Sequence, residues 1–303
     1  MNRSYIIKPI HSSMRLDRWI RNNVGHFPQS LLQKSIRKGS IKLNKNKTSC
    51  SYKLQIGDEI SFLNFAFKNI ENKINSKYVP TKKYLNENEK TIIENNENFL
   101  VLNKKAGIPV QGGTKSKKNL IDTFAKSKMF AVSKPYSVHR LDKDTSGVMI
   151  IAKNHSYAKL LTTLFRLRKV HKTYLAICHG ILKKKKGEIR DELIRYDNKK
   201  KILETAITNF RVIKENNFLS FVELKPLTGR KHQLRKQLML IGNPIIGDNK
   251  YNLHKLKKNS YKNLMLHAFK LSFFVNDKKF TFKANPPDYF NEYLKKKINI
   301  LNF

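Results

Sequence analysis

The sequence predicts an α+β protein in which a mixed, largely antiparallel sheet follows a small, basic, helical module. After residue 91 the chain consists largely of short apolar runs separated by Gly and Pro, a pattern typical of strands. Only two clear helical patterns interrupt these runs, and strands with few helices favour a mixed sheet over a doubly wound one. The 303 residues are 40% hydrophobic, which suffices for a medium-sized domain and a small module.

The small module is predicted over residues 14–67, with two short helices and a small sheet. Leu16, Trp19 and Ile20 share one face of the first helix. A second amphipathic pattern ends at Gly39, and alternating apolar residues then predict short strands.

Residues 68–90 are predicted to be a linker, and residues 91–303 to be the larger domain. The linker is rich in Lys, Asn and Glu, contains Pro80 and shows no apolar periodicity. In the larger domain, helical patterns cover residues 158–168 and 231–240. The predicted strands include residues 99–102, 147–152, 174–177 and 221–224.

Several classes of protein are excluded by what the sequence lacks. No apolar run reaches the length of about 18 residues that a membrane-spanning helix needs. Cys50 and Cys178 are too few for a disulfide framework or a cysteine zinc site. No glycine-rich nucleotide-binding loop is present, so we expect no cofactor. Since residues 1–13 do not resemble a secretory leader, we expect a cytoplasmic protein.

The charge of the chain predicts a polyanionic partner. Lys and Arg number 62 against 22 Asp and Glu, which gives a formal net charge of +40. Basic side chains gain free energy by displacing the counterions condensed on phosphates. The alternative is codon bias in an AT-rich genome, which inflates surface lysines: 49 of the 62 basic residues are Lys. The 13 arginines are therefore the more informative residues, because a scarce Arg indicates a need for its planar fork of donors.

One polar loop carries the strongest indication of chemistry. Residues 139–147 read HRLDKDTSG and lead directly into an apolar strand, which places Asp142 on rigid support beside cations. Asp142 and Asp144 are alternatively a general acid/base pair or metal ligands, although Arg140 and Lys143 compete with a metal for the carboxylates. A solvated turn is the simplest alternative.

Two basic clumps accompany this loop. Residues 166–174 (RLRKVHKTY) lead into a predicted strand, and residues 229–235 (GRKHQLR) start a predicted helix. Basic residues interleaved with aromatic and hydrogen-bonding groups suit a folded RNA, in which phosphates position the protein and exposed bases are read.

The N-terminal module resembles the S4 RNA-binding domain. The resemblance lies in RLDRWI, FPQSLLQKSIRKGSIKLN and LQIGDEI. In that family two short helices and a small sheet present basic residues to RNA, which implies phosphate contacts for Arg15, Arg18, Arg37 and Lys38. The alternative is a basic helical hairpin with a merely solvated face.

The larger domain resembles the RluA-type pseudouridine synthases. HRLDKDTSGVMIIAK is similar to the family signature, and the supporting motifs NKKAGIPVQGG, RLRKVHKTYLA, LKPLTGRKHQLRKQL with GNPIIGD, and LMLHAFKLSF occur in family order. The match covers residues 91–287. Gln111, Lys231 and Leu234 depart from the commoner family choices.

The resemblance implies an RNA isomerase that needs no cofactor and no metal. The implied catalytic residues are Asp142, as nucleophile or base toward the sugar, Arg235 as its ionic partner, and Tyr174, which stacks on the base and can accept the C5 proton. Arg140, or less favourably His139, fills the space of the flipped uridine. Either Leu266 or Leu271 packs under the base. The implied phosphate contacts are Lys104, Arg166, Arg168 and Arg230.

The expected substrate is large-subunit ribosomal RNA, bound by a monomer with no membrane partner. The segment FPQSLLQKSIRKGSIKLN is closer to the RluC type of the family than to the RluD type, which is the runner-up. A non-catalytic ribosome-assembly protein that binds RNA is a further alternative. The intact Asp142 and Tyr174 argue against it.

Overall fold

The structure is a computed structural model of the chain. The chain divides into two compact units, Met1–Lys77 and Tyr78–Phe303. Within the described part of the chain, no helix is long and apolar enough to cross a membrane. The structure describes residues 2–25, 27–65, 78–112, 118–197, 200–253 and 261–300.

The N-terminal unit combines two helices with a three-stranded antiparallel sheet. The strand order is β1-β3-β2. The apolar face predicted for the first helix is confirmed, since Leu16, Trp19 and Ile20 are buried, and Gly39 ends the second helix with a φ of +82°. The elements are β1 (Arg3–Ile6), α1 (Leu16–Asn23), α2 (Gln29–Lys38), β2 (Ile41–Leu43) and β3 (Glu59–Phe62).

The larger unit is built on a ten-stranded sheet. The order along its main path is β4-β5-β7-β12-β8-β11-β10-β9, with β6 beside β7 and β13 beside β12. The β7–β12 pair is parallel and the other pairs are antiparallel, which confirms the predicted mixed, largely antiparallel sheet. The strands are β4 (Ile92–Asn95), β5 (Phe99–Lys104), β6 (Tyr136–Ser137), β7 (Ser146–Ala152), β8 (His171–His179), β9 (Lys186–Asp197), β10 (Lys200–Glu215), β11 (Leu219–Pro226), β12 (Leu266–Val275) and β13 (Lys278–Lys283).

Helices pack around this sheet and bury its apolar side chains. One large cluster includes Leu175, Phe221 and Phe290, and a second includes Phe99, Ile150 and Phe273. The helices are α3 (Lys82–Glu89), α4 (Leu120–Phe124), α5 (His155–Arg166), α6 (Gln233–Leu240) and α7 (Asp288–Ile298).

The linker predicted over residues 68–90 differs from the structure at its C-terminal end. Residues 68–77 lie outside the described residues, but helix α3 forms over Lys82–Glu89. The Thr81 side chain caps it by accepting a hydrogen bond from the Tyr84 amide. The helix was missed because its sequence is polar and shows no apolar periodicity. The capping residue Thr81 is the one local feature of the sequence that indicates it.

Candidate active site

The loop that carries Asp142 enters strand β7 through a close contact between backbones. Gly147 has a φ of +116°, and a Cβ atom there would lie 2.2 Å from the carbonyl oxygen of Ala268. Glycine therefore allows β7 to pair with β12 at this point, where Ala268 is opposite Gly147. The contact fixes the loop beside the start of β12.

Lys104 supports the same loop from inside the protein. Its side chain is 1% exposed, and Nζ donates hydrogen bonds of 2.9–3.0 Å to the carbonyl oxygens of Lys105, Ile108 and Lys143. Burial lowers the pKa of Lys104 to about 7, although the charges of Asp144 and Asp142 oppose this. The predicted phosphate contact of Lys104 is therefore wrong, because the ammonium faces three backbone carbonyls of the protein.

Asp142 lies at one end of a chain of three charged side chains. Arg235 Nη1 is 3.5 Å from Asp142 Oδ2, while Nε and Nη2 of Arg235 donate to both oxygens of Asp248 at 2.7 and 2.8 Å. Burial acts to lower the pKa of Arg235, but the hydrogen bonds and charge of Asp248, with Asp142, outweigh it and raise that pKa. The guanidinium therefore stays charged beside Asp142 and is held in place by Asp248.

His232 forms a second contact to the same carboxylate. Its backbone is left-handed, with a φ of 54°, at the start of α6. His232 Nε2 is 3.5 Å from Asp142 Oδ1, and Nδ1 is 2.8 Å from the Tyr251 hydroxyl. Burial lowers the pKa of His232 despite the attraction of Asp142, so the neutral imidazole predominates at neutral pH.

These groups open into a cavity of about 580 Å³, the size of a small-molecule site. Its two walls come from the basic clumps of the sequence, one before and within β8 and the other before and within α6. The predicted site residues that line it are His139, Arg140, Asp142, Arg166, Arg168, Tyr174, Arg230 and Arg235.

Tyr174 of strand β8 lines this cavity as a neutral phenol. Burial raises its pKa well above the ordinary value, and the charge of Asp142 raises it further. A protonated ring in the wall suits stacking on a base. The raised pKa does not favour the predicted acceptance of a proton from C5, because a phenolate is disfavoured here.

The structure distinguishes the two leucines that sequence reasoning could not separate. Leu266 lines the cavity with Asp142 and Tyr174. Leu271 is buried among Phe99, Phe273 and their neighbours in a core cluster. Leu266 is as buried as Leu271, but it is the residue of this pair that borders the cavity.

Arg140 and His139 also differ in what they can do. Arg140 is exposed at the cavity. The His139 ring stacks on Phe165 with centroids 4.5 Å apart, and its Nε2 accepts a hydrogen bond from the Ile150 amide. Burial lowers the pKa of His139 to about 3, with a smaller effect from the charge of Lys172. The base-flipping prediction for His139 is corrected, because its ring is fixed by the protein.

Three arginines reach the cavity from its basic walls. Arg166 and Arg168 are exposed at the end of α5, and Arg168 takes a left-handed conformation with a φ of 60°. Glycine or Asn is common at such helix ends, so the backbone of Arg168 is strained in this conformation. Its side chain lines the cavity. Arg230 is anchored by Glu204 at 3.3 Å and by the carbonyl oxygen of Thr205 at 3.1 Å.

The basic residues predicted to bind RNA in the N-terminal unit are all exposed, with one difference among them. Arg15 donates from Nε and Nη2 to both carboxylate oxygens of Asp17, at 3.1 and 2.8 Å. Arg18, Arg37 and Lys38 are exposed on helices α1 and α2. Arg15 is thus already engaged within the protein.

Sequence reasoning missed two charged residues of the site. Asp248 holds Arg235, and Lys172 lines the cavity from β8. Lys172 could have been found, since it lies two residues before Tyr174 and side chains alternate along a strand. Among the described residues, no group of three or more His, Cys, Asp or Glu side chains could hold a metal ion.

Comparison with known proteins gives consistent matches. The profile of a family described as RNA pseudouridylate synthase matches residues 98–240. The ribosomal large subunit pseudouridine synthase C of Rickettsia bellii is 35% identical over 302 residues, covering 91% of this chain and 96% of that protein. The enzyme of the same name from Buchnera aphidicola subsp. Baizongia pistaciae is 32% identical, covering 86% and 85%.

A solved structure gives a match of the same kind. The human RNA pseudouridylate synthase domain containing 4 is similar with a TM-score of 0.61 and 27% identity. The similarity covers 70% of this chain and 94% of that one.

Proposed function

Because the chain belongs to the RNA pseudouridylate synthase family, we propose that it converts specific uridines of large-subunit ribosomal RNA to pseudouridine. The curated relatives that match most of its length are named as synthases of the large ribosomal subunit. The observation that carries the proposal is the carboxylate of Asp142, which lies beside a charged Arg235 in a basic cavity of about 580 Å³.

The reaction requires a uridine outside its helix. Flipping a base costs on the order of a few kcal/mol of unstacking and unpairing. Arg140 is exposed at the cavity mouth and fills the vacated space in this proposal. The base then lies between Tyr174 and Leu266, and Arg166, Arg168 and Arg230 contact the flanking phosphates.

Asp142 supplies the chemistry in this proposal. The N1–C1′ bond breaks, the base turns, and C5 bonds to C1′. The ionised carboxylate bonds to C1′ or removes the C2′ proton, and Arg235 keeps it charged and oriented. The reaction is an isomerisation without net redox change, so it requires no cofactor.

Replacing Asp142 by Asn tests this function directly. We expect wild-type protein, incubated with unmodified large-subunit RNA, to create new pseudouridines that carbodiimide mapping detects as reverse-transcription stops. Asp142→Asn should create none, yet bind RNA within about threefold of wild type, because binding rests on many phosphate contacts.

Asp144→Asn is the matched control, because Asp144 is exposed in the same loop. Asp144→Asn should create the same reverse-transcription stops as the wild-type protein. No stops with wild-type protein, on free RNA and on assembling particles alike, would overturn the proposal. That outcome would favour the non-catalytic assembly protein instead.

Residues 14–67 form an S4-type RNA-binding module in this proposal, followed by a linker and the synthase domain. Exposed Arg18, Arg37 and Lys38 on two short helices support it. We further propose that the protein acts as a monomer in the cytoplasm, where its RNA substrate is made. Within the family, the curated matches favour the RluC type over the RluD type.

A further inference from the structure

The cavity contains a lysine to which the mechanism above gives no role. Lys172 is half-buried on strand β8 and lines the cavity together with Tyr174. Because side chains alternate along a strand, Lys172 and Tyr174 project from the same face of β8. A base stacked on Tyr174 therefore shares the cavity with the Lys172 side chain.

Lys172 carries its charge without a carboxylate partner among the described residues. Its Nζ atom donates only a long hydrogen bond, of 3.4 Å, to the carbonyl oxygen of Thr228. Burial lowers the pKa of Lys172 to about 8, and the charge of Arg168 adds to this effect. The charged and titratable groups that line the cavity with Lys172 are His139, Arg140, Asp142, Arg166, Arg168, Tyr174, Arg230, Lys231, His232 and Arg235.

A half-buried ammonium with one long hydrogen bond and no carboxylate partner among the described residues is stabilised by an acceptor that binds it in the cavity. Lys172 is mostly protonated at neutral pH, and its ammonium has N–H donors left for an acceptor in the cavity. The site thus suits an anion or a carbonyl oxygen that gains negative charge.

The base gains such a charge in the proposed reaction. When N1–C1′ breaks, its electron pair stays on uracil, and the negative charge spreads over N1, O2 and O4. The bond cleavage leaves C1′ of the sugar electron-deficient. The Asp142 carboxylate compensates for this by bonding to C1′ or by removing the C2′ proton. C5 then bonds to C1′ with a ring electron pair. In the same step the carboxylate is released from C1′, or the C2′ proton is returned. Finally C5 loses its proton and N1 gains one.

The turn of the base preserves its pattern of acceptors. Rotation about the axis through N3 and C6 exchanges N1 with C5, and it exchanges O2 with O4 at the same time. One cation beside the ring can therefore bind a carbonyl oxygen before and after the turn. A lysine suits this task, since its compact charge sits on a flexible stem.

We propose, on the basis of the function above, that Lys172 is a further catalytic residue, whose ammonium donates to a uracil carbonyl oxygen and stabilises the departing base as an anion.

Lys172→Met tests the proposal under single-turnover conditions with excess enzyme. We expect the rate of pseudouridine formation to fall roughly 100-fold, the usual effect of removing one donor from a developing oxyanion. The dissociation constant for RNA and its salt dependence should not change. Lys159→Met is the matched control, an exposed lysine of α5, and should react at the wild-type rate.

The pH dependence separates charge stabilisation from a structural role. The wild-type rate should fall above about pH 8, as Lys172 loses its proton. In Lys172→Arg, which restores part of the rate lost in Lys172→Met, this fall should disappear because the guanidinium stays charged. Lys104 titrates in both proteins, so the difference between the two profiles reports on Lys172.

Three results would overturn the inference. The first is a Lys172→Met rate within threefold of wild type, on RNA that the wild type modifies. The second is weaker binding with a salt slope reduced by about one, which identifies Lys172 as a phosphate contact instead. The third is an identical fall above pH 8 in Lys172→Arg, which decides the matter even where Lys172→Met does not fold. Inactive wild-type protein would instead contradict the proposed function itself.

Discussion

The N-terminal unit and the cavity around Asp142 use basic residues in opposite ways. In the N-terminal unit, Arg18, Arg37 and Lys38 are exposed on short helices. Around Asp142, the cations that face the loop are held by the protein: Arg235 by the carboxylate of Asp248 and Lys104 by three carbonyl oxygens. We expect the first kind of charge to act through number and the second through position.

This difference teaches how each kind of charge is expected to respond to substitution. An exposed charge is screened by salt, and its neighbours can take over part of its role. A buried charge leaves its partner unpaired in a low dielectric when it is removed, so its loss is costly. Effects should therefore decrease from the centre of the cavity to the helices of the N-terminal unit.

Asp248→Asn should give the largest effect of the three substitutions that test this comparison. The variant removes the carboxylate that holds Arg235. Among the described residues, its buried guanidinium then keeps one carboxylate partner, Asp142, 3.5 Å away. We expect the free energy of unfolding to fall by roughly 3 kcal/mol. Pseudouridine formation should slow roughly 100-fold, because the Asp142–Arg235 pair is misplaced. Urea unfolding and single-turnover kinetics measure the two quantities.

Asp277→Asn is the control for this substitution. Asp277 is exposed in the β12–β13 turn with a φ of 61°, a conformation that Asn tolerates. It should leave stability and rate unchanged. If Asp248→Asn behaved like Asp277→Asn, Arg235 would not depend on its buried partner, and the contrast between the two regions would be lost.

Lys104→Met should give an intermediate effect. It removes the ammonium donor from three carbonyl oxygens, of which that of Lys143 keeps the Gly107 amide as a donor, and each unsatisfied group costs about 1–3 kcal/mol. The Asp142 loop then loses its support, and we expect the rate of pseudouridine formation to fall roughly tenfold.

The pH dependence of stability gives Lys104→Met a second measurement. Since burial lowers the pKa of Lys104 from 10.5 to about 7, unfolding takes up a proton between these pH values. The wild-type free energy of unfolding therefore contains a contribution that rises with pH in this window. Urea unfolding between pH 7 and 10 should show a smaller rise for Lys104→Met. Parallel curves would mean that folding does not lower the pKa of Lys104.

Much of the fold, and the loop that carries Asp142, followed from the sequence, because both depend on local patterns. Strand runs and the HRLDKDTSG loop identify the sheet and Asp142 without three-dimensional information. The direction of Lys104 does not follow, since a lysine in NKKAG is exposed by default and faces inward only because three carbonyls meet there. The Asp248–Arg235 pair likewise depends on how the chain turns after α6, which no periodicity records.

Replacing Arg37 and Lys38 together by Gln should give the smallest effect. If both contact phosphate, the slope of log K against log salt should become shallower by about 0.7–0.9 for each lost contact. The single-turnover rate at saturating enzyme should stay at the wild-type value, because neither residue belongs to the cavity. The matched control is Lys126→Gln with Lys128→Gln, two exposed lysines of the larger unit. If both double variants gave the wild-type slope, the N-terminal charges would be a solvated surface, and position alone would govern how this protein uses its basic residues.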